Sequence, residues 1–143
     1  MTEAEKVAAR RPSGYAKNPD YHIAFVPCPR RVRGVAGGET VVDTTRAMLM
    51  LEGKHAPVYY FAREDVRMDL LSRTDHATHC PYKGDASYWS LEAGGETREN
   101  AVWSYEAPYD EVVKIGGYVA FYWDRMDEWY EEDEKVLDQP RHP

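Results

Sequence analysis

The densest run of reactive side chains is Thr74-Asp75-His76-Ala77-Thr78-His79-Cys80-Pro81-Tyr82-Lys83-Gly84-Asp85-Ala86-Ser87-Tyr88-Trp89. It places a thiol, an amine, a phenol, two imidazoles and two carboxylates within a few residues, and Pro81 and Gly84 shape it as a turn. An ammonium near a thiol favours the thiolate, so Cys80 beside Lys83 is a candidate nucleophile or redox thiol. A small buried side chain is the plainer reading of Cys80. Lys83 before an aromatic run suits an anionic ligand, or catalysis by an amine of lowered pKa if it is buried. The plainer alternative is a surface lysine on a hairpin.

A second group follows Tyr59-Tyr60-Phe61. Arg63 matches a carboxylate or phosphate, and Asp65 reads as a general base or, more plainly, as a helix cap. The catalytic candidates are therefore Cys80, Lys83 and Asp65. Tyr59, Arg63, Tyr82, Trp89 and Trp103 are the ligand-binding candidates. His76-x-x-His79-Cys80 resembles a metal corner, but adjacent His79 and Cys80 face opposite ways on a strand and no Cys-x-x-Cys supports them. No metal is expected, and no cofactor is assigned.

The elements that must position these groups read as β. Eighteen of the 143 residues are aromatic, eleven of them Tyr, and fifteen of the eighteen stand at or after Tyr59. Such residues alternating along strands wall either a core or a pocket. Ala36-Gly37-Gly38-Glu39-Thr40 returns fifty-seven residues later as Ala93-Gly94-Gly95-Glu96-Thr97, each time between strand-like runs. A Gly-Gly pair so flanked is a hairpin signal. Each hairpin is followed by a helical stretch, an aromatic strand and a charged turn, which implies an internal duplication of a β-β-α-β unit.

Helices are expected from Asp43 or Thr44 to Glu52, from Pro108 with Val112, Val113 and Ile115 inward, and over the acidic stretch Met126 to Val136. Tyr118 to Trp123 is apolar on both faces and reads as a central, doubly covered strand. The expected architecture is a flexible arm over residues 1–20 and one mainly-β domain over 21–143, compact, two-sheeted, tent-like or barrel-like, with short helices.

Composition bounds the function classes. The net charge is -7 and the pI about 5.2, which argues against nucleic acid as a partner. Two cysteines make no disulfide framework, no stretch is long and apolar enough for a membrane helix, and no signal peptide follows Met1. The expectation is a soluble cytoplasmic chain with no membrane partner. Charge is polarised: residues 1–34 carry a net +4 and residues 124–138 a net -6, read as two solvated faces or as a docking pair.

Val26-Pro27-Cys28-Pro29-Arg30-Arg31-Val32-Arg33, Tyr59-Tyr60-Phe61 before Arg63-Glu64-Asp65-Val66, His79 to Trp89, and Gly117-Tyr118-Val119-Ala120-Phe121-Tyr122 occur in that order. Over about residues 26–137 the chain resembles family 427 of the domains of unknown function. Ala62 stands where that family usually has Pro, which bears on the rigidity of this turn. The resemblance implies a small, mostly β bacterial or fungal domain, tent-like, with no established reaction and a nucleotidyltransferase label. The common nucleotidyltransferase needs Gly-Ser followed by Asp-x-Asp to hold Mg²⁺ on a triphosphate, and neither occurs here.

Three functions are thus expected. The first is a small-molecule binder or small enzyme, with an aromatic pocket rimmed by Tyr59, Arg63, Asp65, Cys80, Tyr82 and Lys83 and taking a polar or anionic ligand. The second is a nucleotidyltransferase. The third is an interaction module whose aromatic face forms a homodimer or meets another partner.

Overall fold

A computed structural model of the chain describes residues 13–137. Its strands are β1 (Ile23–Cys28), β2 (Val32–Ala36), β3 (Glu39–Thr44), β4 (Ala47–Glu52), β5 (Val58–Tyr60), β6 (Leu71–Cys80), β7 (Gly84–Ala93), β8 (Glu96–Ser104), β9 (Val119–Phe121), β10 (Glu128–Glu131) and β11 (Glu134–Val136). The helical content is short 3₁₀ turns at Gly14–Ala16, Arg63–Asp65, Met68–Leu70, Asp110–Ile115 and Trp123–Arg125. The domain is mainly β. It has three antiparallel sheets rather than two, in the orders β1-β4-β5, β11-β10-β2-β3 and β6-β7-β8-β9, and none closes into a barrel.

The first and third sheets are joined edge to edge. Phe61 and Val119 exchange backbone hydrogen bonds of 2.8 and 2.9 Å, N–H to carbonyl in each direction. This bridge makes one wall in the order β1-β4-β5-β9-β8-β7-β6. Side chains alternate across a strand, so the wall feeds two separate cores. Leu49, Tyr59, Phe61, Trp89, Leu91, Val102, Val119 and Phe121 face the β11-β10-β2-β3 sheet and pack with its Val32, Val41, Val42 and Trp129. Met50, Tyr60, Ala86, Tyr88 and Ala120 face the other way, onto Tyr105, Val112 and Ile115.

The double burial explains where helices were expected and strands form. Ala47-Met48-Leu49-Met50-Leu51 is rich in good helix formers, yet it forms β4, paired with β1 on one side and β5 on the other. A strand buried on both faces shows no polar alternation, so its period of two is hidden and tertiary pairing overrides propensity. Met126 to Val136 is also not helical: it contributes the hairpin β10–β11, with Trp129 inward and the acids along its surface. The segment Asp110–Ile115 does form, as two short 3₁₀ turns with a kink at Val112, whose φ is -126°. Val112 and Ile115 are fully buried, and Val113 is 65% exposed rather than inward. β9 is buried on both faces as expected, but it ends its own sheet and meets β5 only at the Phe61–Val119 bridge.

The repeated Gly-Gly phrases form two-residue hairpins with Ala36 opposite Glu39 and Ala93 opposite Glu96. Gly37 and Gly38 have φ of +57° and +78°, Gly94 and Gly95 +62° and +76°. Two left-handed residues in succession are what this tight turn requires. After its aromatic strand each repeat enters a 3₁₀ turn, Arg63–Asp65 or Trp123–Arg125, and then crosses over. β6 pairs with the second hairpin through β7, and β10 pairs with the first through β2. Each hairpin is therefore completed by a strand from the other repeat. The helix expected in the first repeat is β4 instead.

The two charge blocks meet along the β2–β10 pairing. Arg30 pairs with Glu131 at 3.0 Å, the Arg31 N–H donates to Glu132, and the Arg33 guanidinium lies 4.8 Å over the Tyr130 ring. Residues 1–12 of the expected arm lie outside the described residues. Residues 13–20 rest against the Cys80–Lys83 turn, with the Gly14 N–H bonded to the Pro81 carbonyl at 2.7 Å.

The two hairpin turns lie back to back. A Cβ on Gly94 would stand 2.6 Å from the Gly37 carbonyl oxygen, whereas one on Gly95 meets nothing within 4 Å. Gly95→Ala is expected to cost only the left-handed backbone penalty, about 1–2 kcal/mol. Gly94→Ala should cost clearly more. Urea midpoints of the two variants measure this, and equal losses would refute the turn contact.

Candidate functional site

β5 and β9 part on one side of their bridge, and an aromatic cleft opens there. It is lined by Pro57, Val58, Tyr59 and Phe61 on one side, and by Trp103, Phe121, Tyr122, Trp123 and Trp129 on the other, and encloses about 70 Å³. The floor is a ring stack. Trp123 lies parallel to Trp129 at 4.7 Å between centroids, and Phe61 parallel to Trp129 at 5.9 Å. Trp103 and Tyr122 form one flank, 4.7 Å apart and tilted. Tyr122 is 42% exposed.

The polar edges of Trp129, Trp103 and Tyr59 are already engaged. The Trp129 Nε1–H donates to the Trp123 carbonyl at 3.4 Å, and the Trp103 Nε1–H to the Tyr60 hydroxyl at 3.3 Å. The Tyr59 hydroxyl donates to Glu131, which also accepts from Arg30 Nε. Burial, then the Glu131 hydrogen bond, hold the Tyr59 phenol far above its ordinary range, so it stays protonated. Burial, then the Tyr88 hydroxyl, push the Tyr122 phenol up to about 12. With those edges tied, the walls offer π faces. That suits a planar apolar group, which stacks with favourable quadrupole geometry.

Of the eight candidates from the sequence, Tyr59 and Trp103 line this cleft and the other six do not. Cys80, Tyr82 and Lys83 gather around a buried ion pair. Lys83 Nζ lies 2.7 Å from Glu52 Oε1, with 10% of each side chain exposed, and the Tyr21 hydroxyl donates to the other Glu52 oxygen. Burial alone would raise the Glu52 carboxyl. The hydrogen bonds from Lys83 and Tyr21, with the charge of Lys83, outweigh it and hold the group below its ordinary value. Tyr82 stacks on Tyr21 at 3.7 Å, takes the edge of Tyr15 at 5.2 Å, and accepts from Asn18 Nδ2 at 3.1 Å. Cys80 carries a free, half-buried thiol packed on the second core.

Arg63 and Trp89 form another group with Glu106 and Arg73. Arg63 Nη2 is 3.2 Å from one Glu106 oxygen, Arg73 Nη1 is 2.9 Å from the other, and each guanidinium lies 5.2 Å from the Trp89 ring centre. Asp65 is held by Arg46, through Nε at 2.8 Å and Nη2 at 3.1 Å, and by the Thr44 hydroxyl at 2.8 Å. Those hydrogen bonds, Arg46 first, keep its carboxyl low against a burial cost. It is an ion-pair anchor rather than a cap.

Sequence reasoning missed Glu52, Glu106, Arg46, Arg73, Trp123 and Trp129 as members of these groups. Trp123 and Trp129 carried a signal, since they continue the aromatic run past Tyr122. Glu52 carried none: its partner Lys83 is 31 residues away. Among the described residues no three His, Cys, Asp or Glu side chains converge to hold a metal ion. His79 is 2.6 Å from Asp85, and His76 packs on the Tyr88 ring at 4.4 Å.

Residues 24–132 match a family model described as a domain of unknown function, DUF427, whose model name is NTP_transf_9. No curated protein matches the chain.

The Lys83–Glu52 pair makes a stability prediction. Lys83→Met leaves a carboxylate buried without its counter-charge and is expected to cost about 3–5 kcal/mol. Adding Glu52→Gln should recover part of that loss. The stabilisation from a lowered carboxyl is present above its ordinary 4.5 and is lost as pH falls through the lower folded value. Glu52→Gln should therefore flatten the acid limb. Urea denaturation across pH measures both effects; an unchanged acid limb would contradict the second.

Proposed function

The chain belongs to the DUF427 family, and from that premise we propose that it is a small-molecule-binding domain whose ligand lays a planar apolar group in the aromatic cleft. The observation that carries this reading is the cleft itself: aromatic faces from both sides of the β5–β9 seam, with the polar edges of Tyr59, Trp103 and Trp129 already bonded and Tyr122 standing 42% exposed. An isolated core has no need of so open an aromatic wall, whereas ligand sites are mostly apolar and concave. The family model's name refers to nucleotide transfer. The chain lacks the Gly-Ser and Asp-x-Asp pattern of that chemistry, and the cleft is lined without a carboxylate. Binding is accordingly the better supported function.

Quinoline and purine serve as probes, read on the four tryptophan indole N–H resonances by NMR. Saturable shifts are expected at Trp103, Trp123 and Trp129, with Trp89 unmoved because it lies outside the cleft. Tyr122→Ala should weaken binding several-fold to about tenfold, the range of one aromatic contact. No saturable shift with either probe, or an affinity indifferent to Tyr122→Ala, would overturn the reading.

A further inference from the structure

Glu106 occupies an arrangement of donors that is built without it. Arg63 stands in the turn after β5, and its Nε–H is fixed to the Gly117 carbonyl at 2.7 Å. Arg73 comes from β6, and its Nη2 is fixed to the Ser87 hydroxyl oxygen on β7 at 2.9 Å. Both guanidinium planes rest against Trp89, which is 6% exposed. None of these anchors involves Glu106. What points at the Glu106 carboxylate is one N–H from each arginine. Two cationic donors from two different elements thus converge on a single point.

The carboxylate itself sits on the irregular segment between β8 and the Asp110–Ile115 turn, flanked by buried Tyr105 and Tyr109. Its side chain is 32% exposed, so it stands partly in solvent. Among the described residues the ion pairs of Arg63 and Arg73 go to Glu106 alone. Two positive charges therefore meet one negative charge, on a chain whose net charge is -7. A monoanion leaves that point undercompensated, and a dianion neutralises it.

We propose that Arg63 and Arg73, the latter held by Ser87, form a binding site for a phosphate-class dianion, in which Glu106 is a built-in stand-in that the ligand displaces. The site is separate from the aromatic cleft, since none of its residues lines the cleft, and it stands or falls independently of the function proposed above. Exchange of one carboxylate for one dianion makes wild-type binding weak and salt-sensitive, because the incoming ion first competes with a tethered one.

Calorimetric titration of inorganic phosphate at low ionic strength tests this on wild type, Glu106→Gln and Glu106→Gln/Arg73→Gln. Glu106→Gln should bind phosphate about tenfold more tightly or better, in keeping with loss of a charge-assisted competitor, and the added Arg73→Gln should abolish the gain. On the wild-type chain, phosphate should move the Arg63 and Arg73 Nε–H resonances and the Glu106 side-chain carboxyl carbon together. That measurement does not depend on any variant folding. Phenyl phosphate as a second titrant separates the sources: tighter binding than inorganic phosphate identifies a phosphomonoester ligand, and equal binding identifies the free ion. Equal phosphate affinity in wild type and Glu106→Gln, a gain that survives Arg73→Gln, or a wild-type Glu106 signal that phosphate leaves unmoved would each overturn the proposal.

Discussion

The reciprocal backbone bonds between Phe61 and Val119 are the constraint on which the rest depends. They turn two sheets into one wall, and a wall made of strands buries both its faces only if there is a layer on each side. The four-stranded sheet supplies one layer. The Asp110–Ile115 turn, Tyr105 and the segment leading into β1 supply the other. The same bridge is also the whole of the backbone pairing between the two sheets, so the aromatic cleft is the geometric remainder of that junction. Core and cleft share rings for this reason: Tyr59, Phe61, Phe121 and Trp129 serve both.

Polar chemistry in this domain is arranged as small closed groups. Glu52 is shared by Lys83 and Tyr21, Glu131 by Arg30 and Tyr59, Asp65 by Arg46 and Thr44, and Glu106 by Arg63 and Arg73. Each carboxylate near the wall accepts from two sources, which offsets the cost of removing it from water. The groups differ in exposure and in balance. Glu52 and Lys83 are matched and buried, which makes them a structural lock. Glu106 faces two cations and stands partly in water, which leaves it exchangeable.

The fold class was legible in the sequence because its cues are local. Gly37-Gly38 and Gly94-Gly95 need only their own backbone angles and their neighbours' alternation to declare hairpins, and the aromatic strands declare themselves by composition. β4 was not legible, because Ala47 to Leu51 sends apolar side chains to both cores and presents no polar face. The acidic stretch after Met126 hid β10 for the converse reason: only Trp129 turns inward, so its pattern carries a single apolar mark. The site was half legible. Tyr59 and Trp103 belong to the cleft, but Lys83, Asp65 and Arg63 had been grouped by chemical type, and what decides their surroundings is partners 31, 19 and 43 residues away. Long-range pairing of charges leaves no spacing to read.

The crossing of β6 and β10 between the repeats has a consequence for how the chain reaches this state. The second hairpin acquires β6 locally, through the turn between Cys80 and Gly84, whereas the first waits for β10, whose Glu131 stands opposite Val32 from the far end of the domain. The meander β6-β7-β8 can therefore form early, while closure of β10 onto β2 must first offset a large loop-closure entropy. That closure is expected to be the late event, with the two glycine turns meeting only once both halves are in place.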